Sequence, residues 1–322
     1  MRMHEPFRRR KPRFDDDESL SNDEPLFNDE PPSDDEPVFD DWPLFEKRFH
    51  HEIEYDYSDD GKPDGGDRWS TWDLSTPLER GPEPYPHWLV RDLAAVDIER
   101  GVLKTGKEAD VFLVERGVPG TDRSCLLAAK RYRDAEHRLF RRDAGYLEGR
   151  RVRESRQMRA MANRSAFGMK VIAGQWAVAE FNALRQLWQL GAAVPYPVQI
   201  LGTEVLLEFI GDPDGTAAPR LAQVRAGDGD LADLWRQLTD ALVLLARCGY
   251  AHGDLSPYNI LVHDGRLVLI DLPQIVDVVS NPQGGDYLDR DARNVTTWFV
   301  ARGLRGADGD ALAELLRSEV RL

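Results

Sequence analysis

The 322-residue chain predicts an α+β protein of two lobes, strand-rich first and mostly helical second, behind a disordered N-terminal tail. Three observations point there. An acidic, proline-broken opening cannot build a core. Short apolar segments of strand character then surround one long amphipathic stretch, and after them helical periodicity dominates around a single hairpin signal. The strict strand–helix alternation of a doubly wound sheet is not visible.

Residues 15–41 repeat acidic residues, proline and an isolated hydrophobe, so self-repulsion and proline predict disorder. Leu26, Phe27, Val38, Phe39 and Trp42 are spaced like anchors for a partner groove, and a purely solvating tail is the alternative. Pro and Gly stay dense to Pro86, so the reading divides the chain into a tail at 1–84, a first lobe at 85–211 and a second lobe at 212–322, with order starting near Trp88.

Within the first lobe, Val111–Glu115 and Cys125–Lys130 read as strands joined by a turn around Gly117–Gly120. Residues 175–190 set Trp176, Phe181, Leu184 and Leu187 at helical spacing, with Gly191 as the stop. Val198–Leu201 and Val205–Ile210 are again strand-like. In the second lobe, residues 231–247 form an amphipathic helix closing at Gly249. Asn259–Val262 and Leu267–Ile270 flank His263-Asp264-Gly265-Arg266, and Asp-Gly is a hairpin signal. Asp286–Ala301 and Asp308–Arg317 read as helices.

The net charge of −15, from 42 basic and 57 acidic residues, is concentrated in the tail and says little about the lobes. Two cysteines, Cys125 and Cys248, give neither a disulfide framework nor metal-ligand spacing, and read as small buried residues of a reduced, cytoplasmic protein. No apolar run approaches the roughly 20 residues that span a bilayer, and the basic opening has no apolar stretch behind it to make a signal peptide. Ten arginines crowd residues 130–159. They suit either a solvated surface or the phosphates of an RNA-containing partner.

The chemistry sits in His252-Gly253-Asp254-Leu255-Ser256-Pro257-Tyr258-Asn259-Ile260-Leu261, followed by Leu269-Ile270-Asp271. Phosphoryl transfer needs an oriented nucleophile and a cation to neutralise spreading charge. An Asp and an Asn on a loop entering a hairpin, with a second Asp past the returning strand, gather oxygen donors of the kind Mg²⁺ takes. Asp254 would orient or deprotonate the attacking group, and Asn259 and Asp271 would hold the metal. Each alone could be a turn former; together around one hairpin they make a site.

These segments resemble the catalytic and metal-binding motifs of the protein-kinase-like superfamily, and hence imply its two-lobed fold, here with a truncated C-lobe. Three further segments resemble the RIO family of atypical kinases. Lys104-Thr105-Gly106-Lys107-Glu108-Ala109-Asp110-Val111 is similar to its phosphate loop, S-T-G-K-E-A-x-V, with Lys in place of the leading Ser. Asp271-Leu272-Pro273-Gln274 is similar to its D-x-x-Q metal segment. The tract between Lys130 and Glu180 resembles the flexible insertion of the first RIO subgroup. The resemblance covers about residues 90–305 and implies ATP and Mg²⁺ as cofactors. It assigns Thr105, Gly106 and Lys107 to the phosphates, Lys130 to the phosphates with Glu180 as its partner, and the backbone at Glu208 and Ile210 to adenine. It also implies serine autophosphorylation, with Ser155 or Ser165 as acceptors, or ATP hydrolysis through phosphate carried on Asp271, and a role in maturation of the small ribosomal subunit. Ser256 and Pro257 stand where ordinary kinases place a basic residue in the catalytic loop. The competing readings are an aminoglycoside- or choline-type phosphotransferase, which shares the HGD opening, and a nucleotide-sensing scaffold without catalysis.

Overall fold

The computed structural model describes residues 63–133, 166–225, 231–272 and 275–320. Six strands make the first lobe: β1 (Arg68–Trp69), β2 (Val96–Thr105), β3 (Ala109–Gly117), β4 (Ser124–Tyr132), β5 (Pro197–Leu201) and β6 (Glu204–Glu208). They form one antiparallel sheet in the order β1-β2-β3-β4-β6-β5. One helix, α1 (Ala166–Gln189), lies between β4 and β5 in sequence. The second lobe holds α2 (Leu231–Arg247), a strand pair made of β7 (Tyr250–Ala251) and β10 (Val276–Asp277), the hairpin β8 (Ile260–His263) and β9 (Arg266–Leu269), and the closing helices α3 (Gly284–Ala301) and α4 (Gly309–Glu319). This is a two-lobed, protein-kinase-like α+β fold.

Period-two alternation gives the sheet two apolar faces. In β4, Leu127 and Ala129 join Val114, Val198 and Leu206 in one core, while Tyr132 joins Val205, Trp176 and Phe181 of α1 in another. Lys130 therefore shares the α1 side of the sheet with Tyr132, which is what makes it available to a helix residue. Leu184 and Leu187 at the end of α1 belong instead to the core of the second lobe, and Trp188 packs against both that core and the outer sheet core. One helix thus ties the lobes together.

The turn signals read from the sequence hold. Both long helices stop at left-handed glycines, Gly191 (φ 79) and Gly249 (φ 78). Asp264 (φ 49) and Gly265 (φ 73) have the positive angles that a two-residue hairpin turn requires.

Three expectations are corrected. Order begins well before Trp88: β1 pairs with β2, and Trp72 is buried in the sheet core. The Pro/Gly density that read as tail is a strap held to the sheet, where Thr71 and Ser75 accept from the Gln199 amide of β5. Second, Lys104 and Thr105 end a ten-residue strand, β2, that was not anticipated. Its middle is solvent-facing, so the apolar alternation that marks a half-buried strand is missing. Third, α1 starts at Ala166, ahead of the expected 175. The acidic tail, Ser155, Ser165 and most of the arginine tract lie outside the described residues. Arg131 and Arg133 are described, and both are already paired: Arg131 with Glu204 and Glu99, Arg133 with Asp110.

A buried ion pair locks the strap side of the sheet. Arg116 of β3 is fully buried and donates to both carboxylate oxygens of Asp97 on β2 (2.7 and 3.0 Å) and to Gln199 on β5 (3.0 Å). Removing one partner strands the other charge in a dry site. Asp97→Ala should cost about 3–5 kcal/mol in urea unfolding. A loss under about 1 kcal/mol, the scale of an exposed pair, would contradict this arrangement.

Candidate active site

The site is assembled where the α1 side of the sheet meets the segment after β9. Lys130 Nζ lies 2.6 Å from Glu180 Oε1 and 2.7 Å from Asp271 Oδ1. Glu180, on α1, has a side chain only 1% exposed. It also accepts from the Tyr132 hydroxyl at 2.5 Å and from the Leu272 amide at 3.3 Å. A carboxylate that deep is tolerable only with such partners. One buried side chain therefore joins a strand and a helix of the first lobe to the chain that follows Asp271 in the second.

Charge states follow from that packing. Burial works against the ammonium of Lys130, but Glu180 and Asp271 outweigh it and push its pKa above the ordinary lysine value. Burial would likewise raise Asp271; Lys130 chiefly, with Lys104 and His252 adding, lowers it to about 2. Asp271 is thus an ionised carboxylate at neutral pH. Its backbone is left-handed (φ 66), an unfavourable setting for a residue with a Cβ, and such strain gathers at functional sites.

The loop before β8 is held from behind. Asp291, buried on α3, accepts the amides of Gly253 (2.9 Å) and Leu255 (3.0 Å). Arg290 donates to the Gly253 carbonyl, and Asn294 donates to that of Leu255 at 3.2 Å. Burial raises the Asp291 pKa, against the opposing influence of His252 and those two amide bonds. His252 is itself fully buried, with Nε2 at 3.1 Å from the Ile270 carbonyl. Asp254 stands exposed between two pinned neighbours. Asn259 donates Nδ2 to the Asp254 carbonyl at 2.9 Å, and its own backbone carbonyl accepts from Ile270 at 3.0 Å. The amide oxygen of Asn259 is the end left for another partner.

The structure therefore brings Lys130, Glu180 and Asp271 into direct contact, and couples Asn259 to Asp254. The other expected residues stand apart from that cluster, with no hydrogen bond to it among the described residues. Thr105 ends β2, and Gly106 and Lys107 lie in the turn from β2 to β3. Gly106 donates to Ala109 O (3.0 Å), where an added Cβ would meet that oxygen at 2.6 Å, so the turn admits only glycine. Glu208 ends β6, its amide donating to Tyr196 O (2.8 Å) and its carboxylate accepting from Tyr196 N (3.0 Å). Ile210 lies two residues beyond, its carbonyl taken by Ala218.

A Mg²⁺ ion fits the donor chemistry. Asp271, kept ionised, and the Asn259 oxygen are hard ligands, and Mg²⁺ commonly takes one or two protein oxygens plus phosphates and waters. Among the described residues, no group of three or more His, Cys, Asp or Glu gathers to hold a metal by itself, so the phosphates and waters would complete the shell.

Sequence reasoning quoted Lys104 and His252 within motifs but gave them no role, and it missed Tyr132 and Asp291 altogether. Tyr132 was recoverable, because alternation puts it on the Lys130 face. Asp291 was not, since nothing around it in the sequence of α3 ties it to a loop 38 residues earlier.

Fold and site together define a protein-kinase-like cleft: a buried lysine–glutamate pair facing an ionised aspartate beside a braced Asp–Asn loop. Comparison with known proteins narrows the class. A family model described as the RIO domain matches residues 127–312. The RIO-type serine/threonine-protein kinase Rio1 of Haloferax volcanii is 33% identical over 231 residues, which is 72% of each chain. The serine/threonine-protein kinase RIO1 of Saccharomyces cerevisiae is 28% identical over 222 residues, 63% of this chain but only 44% of that one. Solved structures of Rio2 kinase from Chaetomium thermophilum, one of them an ADP/Mg²⁺-phosphoaspartate complex, align at 20% and 21% identity with TM-scores of 0.48, covering 69% of this chain and 65% and 67% of theirs. The chain belongs to the RIO family.

Two outcomes check the site. Asp291→Ala orphans two buried amides and should cost about 2–4 kcal/mol in urea unfolding; a loss under about 1 kcal/mol would show that the loop does not depend on it. For Asp271, the folded pKa of about 2 lies below that of an ordinary aspartate, so its contribution to stability is complete above the unfolded value and is lost as pH falls toward the folded one. Between about pH 5 and pH 2 the wild type should lose stability more steeply than Asp271→Asn. Parallel acid limbs would contradict the pairing.

Proposed function

We propose that the protein is a RIO-type serine kinase or ATPase that binds ATP with Mg²⁺ and transfers the terminal phosphate. The observation that carries the reading is the contact of Lys130 with both Glu180 and Asp271, next to a loop that presents Asp254 and Asn259. Family membership supports it, since the relatives above are named serine/threonine-protein kinases.

In this reading Lys130, positioned by Glu180, meets the ATP phosphates, and the turn at Thr105, Gly106 and Lys107 covers them. Adenine is read by the backbone at Glu208 and Ile210. Asn259 and Asp271 hold Mg²⁺, which supplies charge neutralisation at the phosphates. Asp254 orients the attacking hydroxyl or water and accepts its proton. Exposure suits that last role, because an acceptor must be reached from outside. Where Asp271 itself is the acceptor, its carboxylate oxygen bonds to the terminal phosphorus as the bond to the ADP oxygen breaks, and water later cleaves the acyl phosphate. The physiological setting we propose is small ribosomal subunit maturation, with the arginine tract at 130–159 meeting RNA or a protein partner and the acidic tail a further partner. The family implies that setting, and the charge of the tract is compatible with it.

ATP turnover by the wild type and by Asp254→Ala tests the reading. A positioned base contributes roughly 10²–10⁴-fold, and a loss of that size is expected. Equal rates would mean a nucleotide-sensing scaffold, and turnover that rises only with aminoglycosides, choline or sugars would mean a small-molecule acceptor. Labelling from γ-labelled ATP separates the two acceptors. A hydroxylamine-labile label should vanish in Asp271→Asn, and its persistence would remove Asp271 as the carrier.

A further inference from the structure

The phosphoryl group in transfer needs positive charge around it, yet the catalytic loop has Ser256 and Pro257 where a basic residue could have supplied it, and Lys130 is already engaged by two carboxylates. The sheet supplies another cation by an irregularity in β2. Val102 pairs with Phe112, but the next partner, Val111, pairs with Lys104, so Leu103 is an extra residue in the strand. Such a bulge re-aims the side chains beyond it. In regular register Leu103 would stand opposite Val111, and Lys104 would turn to the other face. As built, Lys104 is opposite Val111, Val111 is opposite Lys130, and Lys130 is opposite Val205. The two lysines lie in one row across the sheet, two strand spacings or roughly 10 Å apart at the backbone. Their ammonium groups nevertheless converge on one carboxylate: Lys130 Nζ is 2.7 Å from Asp271 Oδ1, and Lys104 Nζ is 3.9 Å from Asp271 Oδ2.

We infer that Lys104 is a phosphate-contacting residue of the cleft, whose ammonium takes up the terminal phosphate of ATP in place of the basic residue absent at Ser256 and Pro257. The inference rests on the ATP reading above. At 3.9 Å Lys104 is outside hydrogen-bonding range of Asp271, so no charge-assisted bond has to break for it to move. Its side chain is 38% exposed, which leaves room for that movement toward an anion entering from solvent. A lysine that only decorated a strand end would gain nothing from the bulge that turns it to the Lys130 face.

The test uses the full chain as wild type, Lys104→Met and Lys104→Arg. Displacement of a fluorescent ADP analogue by ATP and by AMP, in EDTA, gives affinities without turnover. A lost charge-assisted contact should weaken ATP by about tenfold or more in Lys104→Met and leave AMP within about twofold, while Lys104→Arg recovers most of the loss. With Mg²⁺ present, kcat should fall in Lys104→Met and return in Lys104→Arg. An unchanged ATP-to-AMP ratio in Lys104→Met overturns the inference and leaves the ATP reading standing. Equal weakening of ATP and AMP also overturns it, since that marks a structural role. A wild type that binds neither nucleotide sinks the ATP reading and this inference with it.

Discussion

Everything in the cleft depends on the buried carboxylate of Glu180. Its partners are a lysine and a tyrosine from one strand and an amide from the second lobe, so losing it would strand a cation and two donors at once. Electrostatics in such a place is strong because water is excluded, and the same exclusion makes an unpaired group costly. Placing Glu180 on α1 is what makes the arrangement work. That helix packs its middle on the sheet and its end in the core of the second lobe, so the polar contacts and the apolar ones hold the same two bodies in register.

The balance of charge around Asp271 gives the cleft its character. Two ammonium groups face one carboxylate, while Glu180 is shared between one of them and backbone and hydroxyl donors. Asp271 is consequently an ionised carboxylate on a strained backbone, which in the proposed reading would take a metal ion without first losing a proton. Behind it, the Asp291 brace settles the loop geometry before any substrate arrives, so little reorganisation is left for the moment of reaction. Among the described residues, the short strand β10 and then α3 and α4 follow Asp271. The catalytic loop is therefore braced by the first of two closing helices.

Much of this was legible in the sequence because local chemistry constrained it. Asp264-Gly265 could turn in one way, Gly191 and Gly249 could end helices, and the apolar flanks of Asn259 and Asp271 could pair only as a hairpin. Lys130 and Glu180 were found through motif resemblance, and the structure supplied the physical reason: strand alternation puts Lys130 on the helix side. The rest depended on contacts distant in sequence. The strap around Trp72 looked like tail because its proline and glycine content matches both. Strand β2 escaped notice because its solvent-facing middle lacks the apolar alternation. Asp291 gave no local sign of its role, and Lys104 was legible as a motif residue but not as a cleft residue, since a bulge at Leu103 decides which way it faces.

The measurement that goes to the centre of this account is a crystal structure with a non-hydrolysable ATP analogue and Mn²⁺, read by anomalous scattering. A manganese peak is expected within coordinating distance of the Asp271 carboxylate and the Asn259 amide oxygen, with Lys130 still paired to Glu180 and turned to the phosphates. A peak elsewhere, or nucleotide bound with the Lys130–Glu180 pair broken and Asp271 facing away, would contradict it.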